Sequence, residues 1–327
     1  MKKQTIAQFT ILIGVLLFSY IVYRIGPIHI LANIKKLTFG NFFILMGLRL
    51  LYWSLRTVNW KVILDHYDKN TSLWELFVAR MYSQSVNELF PAGQVGGEAA
   101  RIYMVHTIEK RISVASVIVD KTVEFLSVLI LTVLAVGYIL FRLAISPAFK
   151  MLLIAVEFGF ATFMFFIILK QRHGLLTWFV TCLSRLKIHP KFVERNKDKI
   201  RETDHYIADF YRRHPLGFVK VLMLYFLLVM LWVTEIYLTI RYIGAKDITF
   251  GDSFLITILG NLMFLFPFVP GMLGAYEATY IGIFALLKKR LGVAFTLVLI
   301  RRIISLLLAC LGLLVMIRPL FRRRIKA

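Results

Sequence analysis

The sequence predicts an all-α, polytopic transmembrane helix bundle with two re-entrant, broken-helix hairpins in an inverted pseudo-repeat. Three observations predict it. The 327-residue chain is 59% hydrophobic with a mean hydropathy of +0.75, above the roughly half-apolar composition of soluble domains. Residues Asn87 to Arg101, NELFPAGQVGGEAAR, place a proline, three glycines and three ionisable groups inside an apolar chain. A second stretch, Pro270 to Glu277, PGMLGAYE, echoes the first, since Pro270 precedes Glu277 by seven residues as Pro91 precedes Glu98. Proline removes a backbone donor and glycine weakens helix, so in hydrocarbon such segments persist only where protein or water satisfies the backbone. Paired broken segments in two halves of a membrane chain point to a central binding site.

The elements follow in order. Residues 6 to 23 form a first span, retained rather than cleaved because its apolar run has span length and no small-residue cleavage site follows. Lys2 and Lys3 ahead of it put the N-terminus in the cytoplasm. A second span, 40 to 58, carries Arg49 and Arg56 on one face. Snorkelling suits Arg56 near the span's end, whereas for the mid-span Arg49 an interior-facing role competes equally, because an arginine there costs about 2.5 to 3.5 kcal/mol on insertion. The polar link NWKVILDHYDKN leads to a helix over 73 to 90, the bend, and a short helix over 98 to 110. Neither arm has full-span length, hence a hairpin entered from the cytoplasmic side.

Residues 112 to 141 make a long span whose Asp120 and Glu124 share a face, with Lys121 placed to pair with Glu124 at i, i+3. That pair leaves Asp120 unexplained. Residues 148 to 169 span again with a lone Glu157, read as a satisfied core acid. The link 170 to 216 holds eleven Lys and Arg against five Asp and Glu and reads as basic amphipathic helix on the cytoplasmic surface, within a single integral membrane domain covering 1 to 327. Its histidines match no zinc spacing, and Cys182 and Cys310 match no disulfide framework, so they are read as structural thiols. Residues 217 to 243 span with Glu235, and 252 to 268 with 271 to 287 form the second pair of short arms. Three full spans lie between the hairpins, which therefore enter from opposite faces. The last span, 291 to 317, contains Arg301 and Arg302, and RPLFRRRIKA ends in the cytoplasm. Lys35, Lys36 and Lys288 to Arg290 fall outside, against the positive-inside tendency.

The 40 Lys and Arg against 18 Asp and Glu reflect cytoplasmic flanks and anionic lipid rather than nucleic acid, for which no soluble basic domain is present. The chemistry lies in the ionisable residues at membrane depth, which default to a pathway or site. Arg49, Lys121, Arg301 and Arg302 stand beside Glu98, Asp120, Glu124, Glu157, Glu235 and Glu277. Helix starts at the bends offer N–H groups and a dipole to anions, although Glu98 and Glu277 partly serve as caps of their own helices. Arginine forks suit phosphate, and carboxylates suit an amine or hydroxyls, so both signs together fit a phosphate-bearing lipid headgroup. Asn87 adds a neutral donor and acceptor. No cofactor or metal is expected.

At these residues the chain resembles the lysylphosphatidylglycerol synthase transmembrane region, a flippase-like family. The resemblance rests on NELFPAGQVGGEAAR, SVIVDKTVEF, FPFVPGMLGAYEA and the basic residues of the last span. It implies a bundle with re-entrant helices that moves or handles a lipid headgroup between leaflets. By position it implies roles for Asn87, Pro91, Gly96, Gly97, Glu98 and Arg101, for Asp120 with Lys121, and for Pro270, Gly271, Gly274 and Glu277. Met272 replaces a family glycine and Tyr276 a frequent arginine, so headgroup choice does not carry over. Members that aminoacylate lipid have an additional soluble transferase domain, which this sequence lacks, and the expected role is transport rather than catalysis.

The expectation is a lipid translocase of the cytoplasmic membrane, its partners an anionic phospholipid or a polyprenyl-phosphate-linked lipid, with self-association left open. One alternative is a membrane-embedded, lipid-modifying transferase using Glu98 or Asp120 as base, which no nucleophile, metal set or nucleotide loop accompanies. Another is a membrane scaffold that positions a separate cytoplasmic glycosyl- or aminoacyl-transferase through 170 to 216.

Overall fold

The computed structural model describes residues 35–89, 93–142, 145–185, 196–261 and 274–324. The first span, 6 to 23, and Pro91, Pro270 and Gly271 at the two bends lie outside them. The described residues form eleven helices and no strand. These are α1 (Phe39–Leu64), α2 (Leu73–Leu89), α3 (Gly93–Met104), α4 (Lys110–Arg142), α5 (Pro147–His173), α6 (Leu175–Arg185), α7 (Lys197–Arg213), α8 (Pro215–Tyr242), α9 (Phe250–Asn261), α10 (Ala275–Leu286) and α11 (Leu291–Arg324).

Four of them, α4, α5, α8 and the Leu291–Leu314 part of α11, are long and apolar enough to cross a membrane. By contrast α10, both of whose ends are described, has 12 residues, about 18 Å at 1.5 Å per residue, against a hydrocarbon core of about 30 Å. Helices therefore stand on either side of each bend, with boundaries shifted from those expected. Helix α3 starts at Gly93 and ends at Met104 rather than running from 98 to 110, so Gly96, Gly97 and Glu98 lie inside it.

A second shift concerns the link NWKVILDHYDKN, half of which is helix. Helix α1 runs on to Leu64, because Trp60, Ile63 and Leu64 recur at helical spacing and are fully buried. The indole N–H of Trp60 donates to the Ser116 hydroxyl at 3.0 Å.

The chain divides into two compact units. The first comprises residues up to Ser54, Phe77–Arg101 and Leu228 onward. It holds both pairs of broken arms apart from the first four residues of α2 and the last three of α3. Within it α10 packs on α9 and on α11. Glycines set two close approaches there. A Cβ at Gly97 would lie 2.2 Å from Asn87 Oδ1 and 2.4 Å from the Ser83 carbonyl oxygen, and one at Gly312 would lie 2.4 Å from Ser85 Oγ and 2.7 Å from the Met81 carbonyl oxygen. Helix α2 is thus gripped by α3 and α11, and polar bonds pin both contacts. The Gly97 N–H donates to Asn87 Oδ1 at 3.0 Å, and the Ser85 hydroxyl to the Ala309 carbonyl at 2.7 Å.

The second unit comprises Leu55–Leu76 and Ile102–Leu227. Here α7 packs on α4, α5 and α6. Helix α5 starts at Ser146, whose hydroxyl accepts from the Phe149 N–H, and ends at Gly174, whose φ of 99° lies in the left-handed region that glycine adopts without strain. Asp204 of α7 then accepts from the N–H groups of Leu176 and Thr177 at 2.9 and 2.7 Å, capping α6. The link read as one amphipathic surface segment is therefore two helices, and α7 buries Thr203, Asp204, Ile207, Phe210 and Tyr211. Tyr211 donates to Gln171 Oε1 at 2.7 Å, and Gln171 donates onward to Thr122 at 2.6 Å. Burial pushes the Tyr211 phenol well above its ordinary range, so it stays a donor.

Candidate functional site

The first unit collects charge where α1, α8, α10 and α11 contribute side chains. Arg49 of α1 grips Glu235 of α8 through two bonds, Nε to Oε2 at 2.8 Å and Nη2 to Oε1. Both residues are buried. The mid-span Arg49 is thus an interior residue and does not snorkel. This two-bond geometry is the strong form of the arginine–carboxylate pair.

Glu277 of α10 serves two partners. Its Oε2 accepts from the Gly274 N–H at 2.7 Å, closing the start of α10, and its Oε1 accepts from Arg302 Nε of α11 at 2.5 Å. Gly274 has a φ of 78°, where a side chain would be strained. The cap expected of Glu277 is present, and an ion pair is added to it. As a result the Gly274 N–H, like that of Gly97, already has an acceptor within the protein. These two backbone donors are therefore occupied.

Arg301 differs from its neighbours. It is 3% exposed and has no carboxylate partner among the described residues. Its Nη1 donates to the Tyr280 hydroxyl at 3.2 Å, its guanidinium lies 4.9 Å from the Trp232 ring and 5.9 Å from the Tyr280 ring, and its Nε has no hydrogen-bond partner among the described residues. Arg49 lies 5.6 Å from the same Trp232 ring. Tyr280 is fixed from the other side, where a Cβ on Gly260 of α9 would come within 2.9 Å of its hydroxyl. One hydrogen bond to a neutral hydroxyl is worth about 1 kcal/mol and a cation–π contact about 0.5 to 2 kcal/mol. Against these stands a penalty of several kcal/mol for a buried ion, so Arg301 is under-compensated.

The other expected residues of this unit pair locally. Glu98 and Arg101 form an i, i+3 ion pair on α3, with Arg101 fully buried. Glu98 lies beyond the first turn of α3 and does not close its start. Asn87 accepts from Gly97, and Gly96 occupies the first turns of α3 without a described contact.

The second unit has its own cluster. Glu124 pairs with Lys121 at 2.9 Å and with Arg56. Arg56 is buried, which corrects the snorkelling expected of it. Asp120, which the Lys121 pair left unexplained, is fully buried and accepts from the Tyr225 hydroxyl at 2.5 Å. Glu157 accepts from the Thr132 hydroxyl at 2.8 Å.

Three aromatic participants escaped the sequence reading. Trp232 and Tyr280 each lie three residues from a buried glutamate, Glu235 and Glu277, on the same helix. An aromatic at i±3 from a mid-span carboxylate was the available signal. Tyr225 had none, since its partner lies on another helix.

The family model for the lysylphosphatidylglycerol synthase TM region matches residues 6–312. Among its relatives, a UPF0104 membrane protein of Methanothermobacter thermautotrophicus is 22% identical over 306 residues, 90% of each chain. One of Methanocaldococcus jannaschii is 24% identical over 326 residues, 94% of each chain. With the model matching nearly its whole length, and with helices apolar and long enough to span, this chain is an integral membrane protein that belongs to the lysylphosphatidylglycerol synthase TM region family.

Proposed function

We propose that the protein is a non-enzymatic lipid translocase that holds a phosphate-bearing headgroup between its two broken-helix regions, which form re-entrant hairpins entered from opposite faces, while the tails remain in lipid. The observation that carries the reading is the charge cluster of the first unit. Three arginines and two glutamates are held inside a membrane protein, and the glutamates are already engaged by Arg49 and Arg302. A purely structural network tends toward balance, because each unpaired buried ion is costly. An excess cation beside aromatic faces is what a site for an anionic headgroup needs.

The reading extends to the membrane that houses it, the cytoplasmic membrane with both termini cytoplasmic. Lipid movement is tested in proteoliposomes with a fluorescent phospholipid and a membrane-impermeant quencher. Protein-dependent loss of protection is the expected result, and vesicles that keep the inner-leaflet signal would overturn the reading. Sidedness is tested by cysteine labelling at the exposed Asn70 and Thr249. Labelling of both from one side would remove the inverted arrangement.

A further inference from the structure

We propose that a groove between the end of α1 and the start of α8 seats one resident anionic phospholipid, with an acyl chain along its apolar floor and the phosphate at Lys220. The groove belongs to the second unit and uses no residue of the charged cluster of the first. It does not rest on the translocase reading.

The shape comes first. Val219, Lys220, Met223, Leu224 and Leu227 recur at i, i+1, i+4, i+5 and i+8 and so form one stripe of α8. With Val62 of α1 they line a cavity of about 460 Å³. Just past α1, the His66 ring stands 2.6 Å from where a Cβ on Gly217 would lie, so the two helices meet in the first turn of α8. From that contact the groove runs on toward the middle of α8. Val219, Met223 and Leu227 are 46, 55 and 51% exposed, which leaves its outer side open. Because α8 is a membrane span, that side faces hydrocarbon. Water finds no polar partner on an apolar floor, and an acyl chain fills it.

Polarity comes second. Lys220 lies in the second turn of α8, whereas Leu227 lies near the middle of its 28 residues. Between them the helix rises about 10 Å. The one charge thus stands at the interfacial end, and the apolar wall runs inward from it, which is the polarity of a phospholipid entering by its tail. Lys220 is exposed and makes no hydrogen bond or ion pair among the described residues. Its ammonium is a mobile point charge that meets a phosphate without a fixed geometry, and basic pockets between spanning helices take anionic headgroups. Snorkelling alone explains the lysine. It does not explain the recess beneath it.

The test uses the full chain in phosphatidylcholine nanodiscs with a small fraction of phosphatidylglycerol carrying a photoreactive diazirine in one acyl chain. Adducts are mapped by mass spectrometry of the peptides. Residues 219 to 227 should be labelled well above α5, whose exposed Phe158 and Phe163 report ordinary boundary lipid. A phosphatidylcholine analogue should label the groove about fivefold less, the ratio that one lysine near an anionic headgroup is worth. Lys220→Gln should bring the two lipids level, and Leu224→Trp, which fills the floor, should reduce the adducts of both. Lys199→Gln at an exposed position of α7 should change neither. Equal labelling of the groove and α5 would mean boundary lipid only and overturns the seat. Phosphatidylcholine labelling as strongly as phosphatidylglycerol, or a preference that survives Lys220→Gln, overturns the anionic assignment. Excess inorganic phosphate that abolishes the preference would put a free anion at Lys220 and overturn the lipid. If Leu224→Trp does not fold, the ratio in the parent and in Lys220→Gln decides. The adduct is read at named residues, so the result is independent of whether the protein moves lipid between leaflets.

Discussion

Both units of this protein bury charge, and they do so differently. In the second, Arg56 and Lys121 face Glu124, with Asp120 bonded to Tyr225, giving two cations and two anions. In the first, three arginines face two glutamates, and Arg301 is left with a tyrosine and ring faces. A balanced set of buried charges can hold helices together without help. An unbalanced one leaves a cation that an anionic ligand would neutralise. On the proposed reading the first cluster binds and the second is structural, although each is built from the same residue types.

The largest expected effect breaks that comparison at its centre. Arg301→Ala should lower protein-dependent lipid movement by two orders of magnitude or more, on the scale of about 3 kcal/mol for a truncated charged contact, with expression near normal because no carboxylate is orphaned. Lys121→Met should leave Glu124 with Arg56 and retain most of the movement. The fluorescent phospholipid assay reads both. Equal losses would show that charge balance does not distinguish the clusters.

Next come the paired charges of the first unit. Glu235→Leu alone should destabilise the protein by about 3 to 5 kcal/mol, since it strands a buried arginine. The double change Arg49→Leu with Glu235→Leu should recover most of that loss. Thermal unfolding in detergent measures both. Glu277→Gln keeps an acceptor for the Gly274 N–H, so it isolates the Arg302 pair from the cap. It should abolish movement with a smaller fall in stability.

Much of this was legible beforehand. The helices flanking each bend, the i, i+3 pair of Lys121 with Glu124 and the cap by Glu277 follow from local spacing, which a sequence states directly. The partner of Arg49 was not legible, because Glu235 lies 186 residues away and no local rule connects them. Residues 59 to 64 were misread as link because Asn59 and Lys61 interrupt an apolar face that only burial reveals. The bends suggested backbone N–H groups open to an anion, but Asn87 and Glu277 fill those of Gly97 and Gly274. A donor's presence follows from sequence, whereas its vacancy depends on tertiary neighbours.

Each unit holds both crowded and open glycines, since Gly217 of the second has His66 ring atoms 2.6 Å from where a Cβ would stand and Gly282 of the first has nothing within 4 Å. Gly97 and Gly312 of the first unit have backbone and side-chain atoms within 3 Å of where a Cβ would stand, whereas Gly137 and Gly159 of the second have nothing within 4 Å. Gly97→Ala and Gly312→Ala should therefore cost about 1 to 3 kcal/mol by overpacking. Gly137→Ala and Gly159→Ala should gain about 0.5 to 1 kcal/mol, because alanine restricts the unfolded chain and favours helix. Melting in detergent distinguishes the pairs by sign. Gly97→Leu in particular should disturb α2 against α3, so any loss of headgroup binding must be read with a fold check.

The smallest effect concerns exposed charge in the first unit, where Arg290 Nη2 meets Asp247 Oδ1 at 2.9 Å and Lys289 donates to the Asp247 carbonyl at 2.7 Å. The slight burial of the Asp247 carboxyl works to raise its pKa, but the hydrogen bond from Arg290 and the charges of Arg290 and Lys289 hold it below its ordinary value. A depressed folded-state pKa stabilises above the unfolded carboxylate value, near 3.9, and that contribution is lost as pH falls through the lower folded value. Solvent screens this pair, so Arg290→Ala should shift stability by less than about 1 kcal/mol near neutral pH. The difference from the parent should vanish in acid and shrink at high salt. A larger, salt-insensitive loss would mean that this outer pair belongs with the buried cluster and not with the solvated surface.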